Sequence, residues 1–242
     1  ELSWIDNGNE LPRFISAYRR FLERGVPVLF SNYTIGVEAF KSTFEQDEIP
    51  VFSGATMGRM VYPPGWIYCP WPTFGEASTA VIGYFMENWK EERPPRLAYV
   101  SIDSPFGREP AEEGAKYAES IGIEMLPTEI APYVIIDATP QLLRLKERKA
   151  DLVYLQLLLP GMGPVLRDAE RLGLLDKMQF GGSEFGFGEA LIKMTGAASE
   201  GFLAPRTDPW FDETEVPGVN SIRRSSLWSG EFPFLVPPYL GT

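Results

Sequence analysis

Apolar side chains in this chain alternate between short continuous runs and longer stretches where they return every third or fourth position, the signature of strands alternating with amphipathic helices. Residues 1–6 (ELSWID) read as a strand running into the turn Asn7-Gly8-Asn9. Leu11, Phe14, Ile15, Tyr18 and Leu22 then share one helical stripe, with Arg13, Arg19, Arg20 and Glu23 opposite, Asn9 placed as N-cap and Gly25 as the stop. Strands at 26–30 and 49–52 each open into a polar loop, Ser31-Asn32-Tyr33-Thr34 and Ser53-Gly54-Ala55-Thr56, with a helix at about 37–46 between them. A stretch dense in Pro, Gly and aromatics (61–75) leads to a helix at about 76–89 carrying Val81, Tyr84, Phe85 and Trp89 on one stripe.

Glu91-Glu92-Arg93-Pro94-Pro95 interrupts the pattern and reads as an exposed connector between two lobes. Beyond it come strand 97–102, loop 103–107, helix 110–121 and strand 123–126, then helix 139–149, strand 152–157, turn Pro160-Gly161-Met162-Gly163 and helix 164–172. A last unit has strand 178–181, loop 182–186 and helix 189–194. After about Leu203, prolines punctuate a tail with no long amphipathic run. Alternating βαβα units predict α/β architecture with parallel sheets: a first lobe over 1–92, a second over 93–204, and a crossover and irregular tail over 205–242. In such sheets ligands bind beyond the carboxyl ends of strands, so the two polar loops of the first lobe are the first places to look.

Charge narrows the function. A net charge of -11 disfavours nucleic acid and anionic membrane surfaces. No apolar run of about 18 residues and no basic-then-apolar leader occurs, so neither a span nor a signal segment is expected here; a mature, trimmed chain would read the same. The single Cys69 forbids an internal disulfide and leaves the compartment open. The absence of histidine removes Ser-His-Asp, Cys-His and histidine-zinc chemistry. No nucleophile elbow or phosphate-binding loop occurs, and the Gly-rich run at 181–188 does not fit the dinucleotide fingerprint. Catalytic residues, cofactors and metal ligands are therefore not expected; a carboxylate-dependent hydrolase is the one enzyme class left open.

Seven segments in order carry a family resemblance: 47–56 (DEIPVFSGAT), 97–100 with Asp103 and Phe106-Gly107-Arg108, 137–146, 150–154 (ADLVY), 166–174 (LRDAERLGL), 180–184 (FGGSE) and 196–202 (GAASEGF). Together they resemble the type I periplasmic binding proteins of branched-chain amino acid ABC importers, over roughly residues 1–204. The resemblance implies two Rossmann-like lobes clamping a small solute in the cleft between them. It also implies that the chain lacks the family's first strand-helix unit and has a shortened tail, so it reads as incomplete at both ends. The implied role is an extracytoplasmic solute-binding protein, periplasmic or extracellular and compatible with a lipid anchor, monomeric, delivering its ligand to a membrane permease. A ligand-sensing receptor of the same fold is the alternative.

By the same resemblance the ligand carboxylate is held by the loop at Tyr33, Thr34 and Gly36 and by a second loop at Ala55 and Thr56, where aimed amides and hydroxyls suit a small anion. Thr34 and Thr56 would otherwise only cap the helices or turns after them. Phe106 falls where an aromatic stacks on the ligand, Leu158 where another aromatic is common. The acid that meets a ligand ammonium aligns at Ser183, with Glu184 beside it. If Glu184 points away, a less polar carboxylate or an amide becomes the expected ligand. Tyr68, Trp71 and Phe74 would floor the cleft or pack under the first lobe.

Overall fold

The computed structural model describes residues 2–54, 57–209 and 213–224. The chain divides into a compact unit, Glu1–Pro205, and a second, Arg206–Thr242. The larger unit opens with α1 (Leu11–Glu23), β1 (Leu29–Phe30), α2 (Thr34–Ala39), α3 (Lys41–Gln46), β2 (Val51–Phe52), α4 (Gly58–Val61) and β3 (Ile67–Tyr68). It continues with α5 (Phe74–Asn88), β4 (Arg96–Ile102), α6 (Pro105–Ser120), β5 (Glu124–Met125), β6 (Glu129–Ala131) and α7 (Thr139–Glu147). β7 (Leu152–Gln156), α8 (Leu159–Arg171), β8 (Gln179–Gly182), α9 (Glu189–Thr195) and a 3-10 turn (Gly196–Ser199) complete it. The second unit holds α10 (Pro217–Arg224), a helix where the sequence offers no basis for one.

Among the described residues all the strand pairs are parallel. The first sheet has the order β1-β2-β3; the second runs β5-β4-β7-β8, with β6 also on β4. Because β7 occupies one side of β4 along Leu97–Ser101, β5 and β6 share the other. They act as one edge strand, broken where Pro127 has no N–H to donate.

Several boundaries differ from the sequence reading for local reasons. Residues 2–6 form no strand, and only 29–30 and 51–52 of the first two expected strands pair. α6 starts at Pro105, not 110, because Ser104 caps it by accepting from the Gly107 N–H at 3.3 Å and Pro105 suits the first helical turn. Phe106 is thereby a helical residue and not a loop one. Likewise Pro160 sits in the first turn of α8, so the expected 160–163 turn is helix.

α5 is opened by a capping box in which Thr73 Oγ1 accepts from Glu76 N and Glu76 returns to Thr73 N. By its place in the chain this helix was expected in the first lobe. In the structure Phe74 joins the first sheet's core, whereas Val81, Ile82 and Phe85 pack with Leu97, Tyr99, Leu152 and Tyr154 of the second sheet. On the opposite face, Val100, Val153, Leu155 and Leu157 meet Leu142, Leu145, Val165 and Leu166 of α7 and α8.

Candidate functional site

On the second sheet, alternation along the strands puts every other residue under α5. Deepest are Leu97 and Leu152. Next come Tyr99, Tyr154 and Gly181, paired across β4, β7 and β8. The last layer before the carboxyl ends is Ser101 opposite Gln156, with Ser183 two residues beyond Gly181. This face thus changes from hydrocarbon to phenol to hydroxyl and amide as it approaches the end where ligands bind in open α/β sheets. Ser101, Gln156 and Ser183 are all buried.

The layer is incompletely satisfied from within. The Ser183 hydroxyl donates to the Leu157 carbonyl at 3.4 Å and Ser78 Oγ meets Tyr99 OH at 2.5 Å. Gln156 Oε1 and Nε2 and the Tyr154 hydroxyl, by contrast, have no hydrogen-bond partner among the described residues. Both carboxylate oxygens of Glu184 are buried, and no other described residue donates a hydrogen bond to them. Burial pushes the Glu184 pKa up, opposed by a hydrogen bond from its own backbone. Burial, the Tyr99 phenol and the Glu184 charge, in that order, push Tyr154 well above the ordinary phenol value. Unmet buried polar groups each cost about 1–3 kcal/mol, so their concentration here makes this layer the candidate site.

Three aromatic rings stand at the same end. Phe106, in the first turn of α6, packs edge-on against Phe74 at 4.9 Å between centroids; Phe185, next to Glu184, lies 5.5 Å from Phe74 and 6.2 Å from Phe106. Since Phe74 belongs to the first sheet's core and Phe106 and Phe185 rise from the second, the trio lies where the two sheets' packing meets.

The first sheet's carboxyl ends carry their own polar set. Ser53 Oγ, after β2, is buried without a partner among the described residues. Asn32 Oδ1 accepts from Gly54 N at 2.9 Å, tying the two loops together, and the Trp71 ring lies so close that a Cβ on Gly54 would come within 1.8 Å of it. Tyr33 is the N-cap residue of α2 and Thr34 its buried first residue. Gly36 sits beneath Phe14 and Tyr33, whose rings pack at 5.8 Å; a Cβ there would approach them to 2.6–2.8 Å. Its glycine is accounted for by the packing of α2 on α1. Ala55 and Thr56 lie outside the described residues. Leu158 is half-buried as the N-cap of α8.

α4 and α6 are joined by another buried acid. Glu109 accepts from the Gly58 N–H at 2.5 Å. Burial pushes its pKa up to about 7; the Gly58 hydrogen bond and Arg59 pull it down, while neighbouring Glu113 pushes it up. Two surface concavities, of about 120 Å³ beside Leu166, Met178 and Phe202 and about 320 Å³ beside Val81, Tyr84 and Leu203, include none of the expected site residues.

Of the expected residues, Phe106, Leu158, Ser183 and Glu184 lie at the second sheet's carboxyl ends, Tyr33 and Gly36 pack on Phe14 with Thr34 between them in α2's first turn, and Ala55 and Thr56 fall outside the described residues. Sequence reasoning passed over Gln156, Tyr154 and Phe185. Gln156 had a signal, being the one amide inside the apolar run 152–159 (LVYLQLLL).

The chain matches the family described as periplasmic binding protein over residues 1–225. Its fold is similar to a branched chain amino acid ABC transporter from Thermus thermophilus with bound valine, at 26% identity and TM-score 0.75, covering 81% of this chain and 51% of that one. A fatty acid ABC transporter substrate-binding protein from Thermomonospora curvata is similar at 20% identity and TM-score 0.72, covering 84% and 51%. An ABC transporter substrate-binding protein from Desulfitobacterium hafniense in complex with Leu is similar at 16% identity and TM-score 0.69, covering 93% and 65%. The chain spans about half the length of the first two. No curated protein matches it. Parallel βαβ units in two sheets, with unmet polar groups at the strands' carboxyl ends and a family match over residues 1–225, lead to one assignment: the chain belongs to the periplasmic binding protein family.

Proposed function

We propose that this chain is the ligand-binding part of an extracytoplasmic solute-binding protein of an ABC importer, and that its ligand is a small amino acid. The observation that carries this reading is Glu184, whose buried carboxylate receives no hydrogen bond or cation from any other described residue. An ammonium group is the guest that relieves it, because a buried carboxylate is stable as an anion only when a cation or several donors face it. Phe106 and Phe185 supply an apolar wall beside that charge. In this reading Tyr33 and Thr34, at the start of α2, and the segment containing Ala55 and Thr56 offer donors to the ligand carboxylate, with Gly36 behind them and Leu158 and Ser183 lining the second-sheet side.

The Thermomonospora curvata neighbour is described as a fatty acid binding protein. A fatty acid has no ammonium and would leave Glu184 unrelieved, so the amino acid reading is the better fit. No step in it requires catalysis. The protein works as a monomer in the periplasm or outside the cell, and its macromolecular partner is a membrane permease.

A thermal-shift titration tests this. Millimolar L-leucine or L-asparagine is expected to raise the melting temperature, the desamino acid 4-methylpentanoate to leave it unchanged, and Glu184→Gln to weaken binding at least about tenfold. Melting temperatures indifferent to every α-amino acid would sink the proposal.

A further inference from the structure

We infer that the solute carries a side-chain carboxamide, read by Gln156. The inference rests on the amino acid reading and specifies the part of the ligand that reading leaves open.

Gln156 lies in the middle of the second sheet, at the carboxyl end of β7, flanked by β4 and β8. It is fully buried, yet neither its oxygen nor its nitrogen has a hydrogen-bond partner among the described residues. A carboxamide offers two donors and a carbonyl acceptor, so this single side chain presents both kinds of unmet group. Its neighbours are the Tyr154 hydroxyl, two residues deeper on the same face and also without a partner, and the Glu184 carboxylate, which no other described residue hydrogen-bonds and whose charge reaches Tyr154.

A hydrocarbon side chain entering here would satisfy none of these groups. A second carboxamide satisfies Gln156 reciprocally: its NH2 donates to Gln156 Oε1 while its carbonyl accepts from Gln156 Nε2. A carboxylate could accept but not donate, and would add a second negative charge beside Glu184. The strand's composition points the same way, because 152–159 is otherwise apolar or aromatic and an aliphatic residue at 156 would extend the run. Sites that hydrogen-bond a substrate group discriminate strongly against an isostere lacking it, since the site's own polar atoms are then stranded.

L-Asparagine and L-leucine are near-isosteric and differ at the group Gln156 would read. By isothermal titration calorimetry, L-asparagine or L-glutamine is expected to bind about 10²-fold more tightly than L-leucine, with L-aspartate weaker than L-asparagine. Gln156→Leu, folded by circular dichroism, is expected to lose that preference or reverse it, while binding through the ammonium survives. Leucine bound as tightly as asparagine by the unaltered protein overturns the inference and leaves the amino acid reading standing if Glu184→Gln still weakens leucine binding; that comparison needs no Gln156 variant. Failure of every α-amino acid to bind overturns both.

Discussion

The two sheets differ in how much of them is covered. In the second, residues 97–101 and 152–156 are buried on both faces, and helices supply the cover. In the first, Leu29, Val51 and Ile67 face a core built by Phe14, Tyr18, Val37 and Phe44, while their neighbours Phe30, Phe52 and Tyr68 are 64%, 44% and 48% exposed. Parallel sheets are normally buried on both sides, so the second sheet is a complete layer and the first is held from one side. Gln156 lies within the sheet that is covered on both sides, and Glu184 in the turn just past its strand β8.

The largest effect expected from this contrast is in packing. Leu155 is fully buried in the larger core, and Leu155→Ala is expected to destabilise the protein by about 2–5 kcal/mol in urea melts. Phe52→Ala, a bigger truncation on the open face of the first sheet, is expected to cost under about 1 kcal/mol because its side chain already contacts solvent. Equal losses at the two positions would break the comparison.

The joint between the regions is expected to respond to pH. Glu109 of α6 holds Gly58 of α4, and burial raises its pKa from 4.5 to about 7. Between those values the folded protein retains a proton that the unfolded chain has released, so stability falls as pH rises through this window and levels off above it. Glu113 and Arg59 face the same acid with opposite charges. Glu109→Gln can still accept from Gly58 and never ionises; it is expected to gain on the unaltered protein by at most roughly 3 kcal/mol at pH 8 and to lose the slope between pH 5 and 8. Parallel curves for the two proteins would show that Glu109 ionises freely.

The order of strands and helices was legible because short continuous apolar runs mark buried parallel strands and a 3.6-residue period marks the helices that cover them. Boundaries were less so. Pro105 and Pro160 look like turn residues in isolation but suit the first helical turn, so Phe106 and Gly161 moved from loops into helices. The candidate site was half legible. Phe106 and Glu184 sit in punctuated, Gly- and Pro-rich stretches that draw attention, whereas Gln156 lies inside a run that reads as core. Its significance depends on which atoms lack partners, and that is a property of packing.

The smallest effect separates packing from ligand contact at Gly36. The resemblance places this residue in the carboxylate-binding loop, but in the structure its missing side chain makes room for Phe14 and Tyr33. Gly36→Ala adds a methyl group that must displace those rings, a cost of about 1–3 kcal/mol, partly offset by about 1 kcal/mol from replacing a helical glycine. The expected net loss is about 1 kcal/mol in a urea melt. If Gly36 acts only through the packing of α2 on α1, amino acid affinity measured by calorimetry on the folded variant should change less than about threefold. If its backbone is part of the anion cradle, tilting α2 by a few tenths of an ångström moves the Thr34 donor as well, and affinity should fall by tenfold or more while stability changes by the same small amount.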